Sequence, residues 1–332
     1  AELLEELRRP FRVGGAELQV GGSVGISLYP ADAADTADLL MHADAAMYQA
    51  KRGGRGGHAL YSAAGDGARR RLELTSRLRA ALGRDELELH FQPVFELASG
   101  RPAGVEALVR WNDPERGMVS PGEFIPLAEE TGLIEQVGAW VLDAVCRQAR
   151  AWQDLGLEIE VAFNASPLEL TRPGFAHRVG ERMSAHGVRP GTLTVEIIES
   201  ALADAAAVAP VLERVGELGV RVAIDDFGAG FSSLTRLRHL TVHTLKLDRA
   251  FLVGVPEDAR GATFVTAMLR LAGQLGLQVV AEGIETAAQL EFLRGENAAL
   301  GQGYHLGRPV PADETTALLL ADQASGRFGA PS

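Results

Sequence analysis

The sequence predicts an α/β protein: a TIM-like (β/α)8 barrel with one antiparallel strand, joined to a small N-terminal α/β fragment. Three observations lead there. From Asp85 onward, short apolar β-branched runs alternate with amphipathic helical runs, the signature of repeated βα units. Eight such strand candidates suit closure into a barrel. The segment between the first two candidates is too short for a crossover helix, so they pair as an antiparallel hairpin.

The elements follow in order. Residues 1–62 read as a small α/β unit. Phe11 to Val13 and Glu17 to Tyr29 flank Gly14-Gly15 as hairpin arms, and Leu39, Leu40, Ala43, Ala46, Met47 and Ala50 recur at helical spacing. Gly53-Gly54 and Gly56-Gly57 end that helix, and His58 to Tyr61 form a last short strand. Residues 63–84 read as a linker helix. The barrel strands are expected at 86–96, 104–111, 158–165, 192–198, 220–226, 243–248, 277–281 and 301–306. The clearest intervening helix carries Val137, Trp140, Val141, Val145, Ala149 and Trp152; others run through 202–219, 258–276 and 286–295.

Bulk composition narrows the function classes. The 332 residues suit one large domain plus a small one. No apolar run approaches the roughly 20 residues a membrane helix needs, and no secretory signal pattern is present. The chain starts at Ala1 without a methionine, so we expect a piece of a longer protein, one with upstream domains. Cys146 is the only cysteine and sits among apolar helical positions; with no internal disulfide possible, a cytoplasmic setting is expected, whether or not the parent is membrane-anchored. His239 and His243 approach a strand rather than share a helix face, which argues against zinc. A net charge of -12 argues against a nucleic-acid polymer as partner. The basic run Arg69-Arg70-Arg71, with Arg77 and Arg79, reads as a solvated helix face.

The chemistry stands on and just after the strands. In order these positions carry Glu106 and Arg110, Asn164, Glu196 and Glu199, Asp225-Asp226, Lys246 and Asp248, Glu282 and Glu285, and Gln302. A β/α barrel gathers its C-terminal strand ends on one face, where active sites are built. An acid after a strand is often only the N-cap of the next helix. Its repetition from strand to strand makes a cluster that repels itself unless cations neutralise it. Carboxylates and one amide, with no thiolate, suit Mg²⁺ or Mn²⁺. Adjacent Asp225 and Asp226 suit two such ions about 3.5–4 Å apart, the arrangement for phosphoester hydrolysis. The stretch Asp225 to Leu234, with Gly228, Gly230, Ser232 and Ser233, reads as an active-site loop.

Residues 85–320 resemble the EAL-domain cyclic di-GMP phosphodiesterases. The resemblance rests on Phe91-Gln92-Pro93-Val94, Glu106-Ala107-Leu108-Val109-Arg110-Trp111, Pro121 to Ile134, Asn164-Ala165-Ser166, Glu196-Ile197-Ile198-Glu199-Ser200, Asp225 to Leu234, Leu245 to Asp248, Ala281 to Thr286 and Gln302-Gly303-Tyr304. It implies an EAL domain over 85–325, after a 63–84 linker. Residues 19–62 are similar to the end of a GGDEF (diguanylate cyclase) domain, through Gly22 to Ser27 and Ala43 to Lys51. The fragment 1–62 lacks the GGDEF loop itself, so no cyclase activity is expected of it.

The resemblance implies a site. One metal is held by Glu106, Asn164, Glu196 and Asp225, the second by Asp225, Asp226 and Glu282. Lys246 positions the attacking water and offsets charge on phosphorus, and Glu282 is ligand, base or both. Gln92, Leu108, Arg110, Gln302 and Pro309 contact substrate. Glu199, Gly228, Gly230 and Ser232 order the loop. The implied reaction opens cyclic di-GMP to linear pGpG, with two Mg²⁺ or Mn²⁺ per site and a homodimer through the EAL domain. The alternative is a non-catalytic cyclic di-GMP receptor. Ile198, Ala229, Phe231 and Glu296 to Leu300 depart from the family pattern, and no expected metal ligand is missing.

Overall fold

The structure, a computed structural model, describes residues 11–13, 16–18, 22–33, 35–52, 58–61, 63–228 and 240–324. The chain divides into two compact units, Ala1–Arg77 and Leu78–Ser332.

In the first unit, β1 (Phe11–Val13) pairs antiparallel with β2 (Ala16–Leu18). β3 (Val24–Ile26) pairs in parallel with β4 (His58–Leu60), and α1 (Thr36–Arg52) connects them. A parallel pair needs such a crossover. Of the expected second arm, Glu17 to Tyr29, the described residues form two separate strands, β2 and β3, with different partners; residues 19–21 lie outside the described residues. Gly14-Gly15 and Gly53 to Gly57 lie outside the described residues. Helix α2 (Ala63–Ala81) contains the boundary between the units.

The second unit bears out the barrel. Its strands are β5 (Leu87–Glu96), β6 (Arg101–Asp113) with the short β7 (Gly117–Val119), β8 (Glu160–Ala165), β9 (Leu193–Ile198), β10 (Arg221–Phe227), β11 (Thr244–Leu247), β12 (Gln278–Ala281), β13 (Leu300–Gly301) and β14 (Val310–Pro311). The eight strands β5, β6, β8, β9, β10, β11, β12 and β13 pair in that order, and β13 returns to β5 to close the ring. β5 is antiparallel to both neighbours, while every pairing from β6 through β13 around the other side is parallel. Only Leu97 to Gly100 separate β5 from β6, which leaves room for a turn but no helix.

Helices cover the outside: α3 (Pro121–Thr131), α4 (Ile134–Asp154), α5 (Pro167–Thr171), α6 (Phe175–His186), α7 (Ala205–Glu217), α8 (Ala259–Gln274), α9 (Ala287–Gly295) and α10 (Ala312–Ala324). α4 buries Val137, Val141, Val145, Cys146, Ala149 and Trp152, its expected stripe, while Trp140 is half-buried. Trp152 meets Phe91 edge-on at 4.9 Å, and its indole N–H donates to Thr316 Oγ1 at 2.7 Å. Among the described residues no helix is long and apolar enough to cross a membrane.

The eighth strand is shorter than the expected 301–306. After Gly301 the chain leaves the sheet to bond the segment following β12: Ile284 N donates to Gln302 O (3.1 Å), and His305 N to Ile284 O (3.0 Å). Gly303 lies so close to the Ile284 backbone that any side chain there would clash.

Beneath the strand ends the barrel interior is lined by small residues: Gly104, Ala162, Thr194, Ala223, Thr244 and Val280. Barrel interiors are usually filled by bulky branched side chains. Here a cavity of about 200 Å³ remains. Its floor is polar: Arg221 donates to Glu160 Oε2 at 3.2 Å and to Gln278 Oε1 at 2.6 Å, and Thr194 Oγ1 donates to Glu160 Oε1 at 2.5 Å.

Candidate active site

Strand alternation aims one residue in two at the barrel axis. Gly104 and Glu106 on β6, Ala162 and Asn164 on β8, Thr194 and Glu196 on β9, Ala223 and Asp225 on β10, and Thr244 and Lys246 on β11 are such pairs, small below and polar above. Registers align the upper members: Gln92 faces Glu106, and Asn164 faces Glu196.

Lys246 is the hub and one of only two lysines in the sequence. Its side chain is 2% exposed, and its Nζ lies 2.8 Å from Glu196, 2.8 Å from Glu282, 3.1 Å from Glu106 and 3.3 Å from Asp225. Asn164 Nδ2 donates to Glu106 Oε1 (3.0 Å), and Gln302 Nε2 donates both to Glu106 Oε2 and to Gln92 Oε1 (each 2.9 Å). Gln92 Nε2 in turn donates to Gly307 O at 2.9 Å. Gln302 Oε1 is buried without a partner among the described residues.

The electrostatics follow from one ammonium among four carboxylates. Burial opposes the charge on Lys246, but Glu106, Glu196, Glu282 and Asp225 outweigh it and hold its pKa well above the ordinary lysine value. Glu106 is also desolvated, yet Lys246 and the hydrogen bonds from Gln302, Lys246 and Asn164 keep it below the usual range. The others rise. Burial, then Glu106, lifts Glu196 well above the ordinary value despite Lys246. Burial lifts Asp225, only partly countered by Lys246, and burial with Asp225 lifts Asp226. Glu282 is pushed up to about 8 by burial, against the pull of Lys246.

Asp225 and Asp226 should point to opposite faces, being consecutive in a strand. A register shift between Ile224 and Phe227 and a left-handed φ of 52° at Asp226 break that alternation, as bulges do beside active sites. Asp226 N donates to Asp225 Oδ1 at 2.9 Å. Two carboxylate groups result, Glu106–Glu196–Asp225 and Asp225–Asp226–Glu282, each with oxygens within 4.8 Å of one another, and Asp225 belongs to both. This oxygen-only set carries more negative charge than one lysine offsets, which fits hard divalent cations.

Glu199 Oε2 accepts from Gly228 N at 2.6 Å. Gly228 has φ 96°, and a Cβ there would come within 2.7 Å of the Phe251 ring. Gly230 and Ser232 lie outside the described residues.

The cavity above Lys246 has a volume of about 260 Å³, and Asp248, Arg249, Glu285 and Tyr304 join its walls. Leu108 separates it from a second, largely apolar cavity of about 420 Å³, bounded by Arg110, Pro121, Ile125, Pro126, Val137 and Asn164. Arg110 donates to Val109 O at 2.9 Å, and burial lowers its pKa. Pro309 is half-buried and lines neither cavity. The sequence reading gave Tyr304 no role; it follows Gln302-Gly303, and only the turn that replaces the end of the eighth strand brings it to the mouth.

Comparison with known proteins agrees with this architecture. The EAL domain family matches residues 75–309, and the family described as diguanylate cyclase, GGDEF domain, matches residues 1–57. The chain belongs to the EAL-domain family, preceded by a GGDEF fragment. It is 42% identical over 319 residues to the bifunctional diguanylate cyclase/cyclic di-GMP phosphodiesterase MucR of Pseudomonas aeruginosa, covering 95% of this chain and 47% of that protein. It is 36% identical over 314 residues to the cyclic di-GMP phosphodiesterase PdeR of Escherichia coli, covering 94% of this chain and 47% of that protein. The chain thus spans about half the length of these curated relatives. A solved structure, the PaMucR phosphodiesterase in complex with c-di-GMP, is 43% identical, covers 73% of this chain and 99% of its own, and superposes with a TM-score of 0.71.

Proposed function

We propose that residues 85–325 form a metal-dependent phosphodiesterase that hydrolyses cyclic di-GMP to linear pGpG, linked through 63–84 to the fragment 1–62. The observation that carries this is the pair of carboxylate clusters sharing Asp225 above Lys246. The names of the relatives and the c-di-GMP complex of the PaMucR structure support the substrate.

Glu106, Asn164, Glu196 and Asp225 would hold one Mg²⁺ or Mn²⁺, and Asp225, Asp226 and Glu282 the other. When bound, such ions would neutralise the carboxylates, polarise phosphoryl oxygens and activate water. Lys246 orders four carboxylates through Nζ and places fixed positive charge beside the phosphorus. Glu282, half-buried at the cavity wall, takes the proton of the attacking water at a carboxylate oxygen. Gln302 and Gln92 fix Glu106 from the far side. Leu108 and Arg110 receive a base and a phosphate at the neighbouring cavity, where guanidinium matches phosphate oxygens with two donors. Gly228, tied to Glu199, anchors the start of the loop.

The test is turnover of cyclic di-GMP over a panel of divalent metals, with identification of the product. Linear pGpG formed with Mg²⁺ or Mn²⁺, and abolished by Glu106→Ala, is expected. Tight binding without turnover would make the chain a receptor instead. The same reading includes a homodimer through the barrel, which a concentration-independent monomer mass would overturn.

A further inference from the structure

Cations are scarce at the mouth of this acidic site, and Arg308 stands out among them. The Arg308 guanidinium lies 4.4 Å from the centroid of the Tyr304 ring. Tyr304 is 56% exposed and lines the cavity above Lys246. Arg308 has no carboxylate within ion-pair distance among the described residues. Arg249 follows Asp248 directly and shares the cavity wall with it and with Glu285.

The ring fixes Arg308 without neutralising it. A guanidinium over an aromatic face keeps its edge donors free. Gly307 carbonyl accepts from Gln92, and Gly307 sits against Pro93, so the backbone that presents Arg308 is pinned to the first barrel strand. The arginine is thereby held ready at the rim.

A cyclic dinucleotide has two phosphodiesters, and only one can lie on the metal-ligand cluster. Resting on the cyclic di-GMP reading, we propose that Arg308, held over Tyr304, is a specificity-determining residue that grips the second, uncleaved phosphate. It thereby favours cyclic dinucleotides over substrates with a single phosphodiester.

Steady-state kinetics with Mg²⁺ or Mn²⁺ test this. Arg308→Ala should raise KM for cyclic di-GMP about fivefold, the upper range for an exposed ion pair, with the effect on KM rather than kcat. Added salt should weaken the wild type more than the variant. The penalty should shrink toward onefold with bis(p-nitrophenyl) phosphate, which offers one phosphodiester. Tyr304→Ala should reproduce the KM effect by releasing Arg308, and the double variant should add little to either. Tyr304→Phe, which keeps the platform, should rescue most of it. An unchanged KM, or an equal penalty on both substrates, overturns the proposal. So does a fall in kcat alone, since Arg308 would then only brace the segment that carries Gln302. If the wild type does not turn over cyclic di-GMP, the functional reading fails separately. Calorimetric Kd values for the same variants then decide the role of Arg308, and an unchanged Kd rejects it.

Discussion

Lys246 and Glu196 meet at 2.8 Å inside the barrel, with side chains 2% and 4% exposed. Removing one member of such a pair leaves the other buried and uncompensated, at a cost of about 3–5 kcal/mol. Lys246→Met should therefore destabilise the metal-free protein by about that amount, measured by denaturant unfolding. Turnover should fall by at least about a hundredfold, the scale seen when a preorganised electrostatic group is removed. An apo stability equal to wild type would mean that the four carboxylates already share protons.

Asp225 belongs to both carboxylate groups, and Asp226 to one. Calorimetry with Mn²⁺ should find two sites in the wild type, one in Asp226→Asn, and weakened binding overall in Asp225→Asn. At a hundred times Kd, one bound ion should stabilise the fold by about 2.7 kcal/mol, and chelation should reverse the gain. Equal stoichiometry in both variants would contradict the shared role of Asp225.

Gly228 couples a left-handed φ of 96° to a close approach of Phe251, and its N–H is held by Glu199. Gly228→Ala meets both obstacles and should cost about 1–3 kcal/mol. Glu199→Ala lacks the steric problem but frees the loop, so kcat should drop while metal stoichiometry stays at two. Comparing the two by thermal melting and turnover separates strain from anchoring.

Glu169 offers a pH test away from the metal ligands. Burial raises its pKa above 4.5, although the Ser166 backbone and side chain oppose the rise. Between 4.5 and the raised folded value the native state binds more protons than the unfolded chain. Stability from this group therefore falls as pH rises through that window and stays lower above it. Glu169→Gln retains an oxygen to accept from Ser166 N, which now donates to Glu169 Oε2 at 3.0 Å. The variant should be the more stable protein at pH 7 and lose its advantage near pH 4. Urea unfolding across that range checks the crossing.

Much of the barrel was legible because its signals are local and repeated. The Val137-to-Trp152 stripe and the alternation through Glu160 to Ala165 each determine an element without knowledge of its neighbours. The antiparallel start was legible from a loop too short to cross the barrel. Other features depend on distant contacts. Asp226 joins Asp225 only through a bulge that strand alternation does not foretell. The eighth strand stops at Gly301 because Ile284 captures the chain that follows. The small-residue layer beneath the site becomes visible only when six strands are placed in register.

The antiparallel course of β5 has a topological consequence. In register Leu87 stands beside Trp111, beyond the level of Glu106, and Glu96 lies beside Arg101 at the opposite end. The polypeptide therefore enters the barrel at the rim that carries the carboxylate groups, whereas an all-parallel barrel is entered from the far end. Three residues separate the entry at Leu87 from Phe91, and the next residue is Gln92, which touches Gln302. A displacement of Leu87 has a short path along β5 to the hydrogen bonds that hold Glu106.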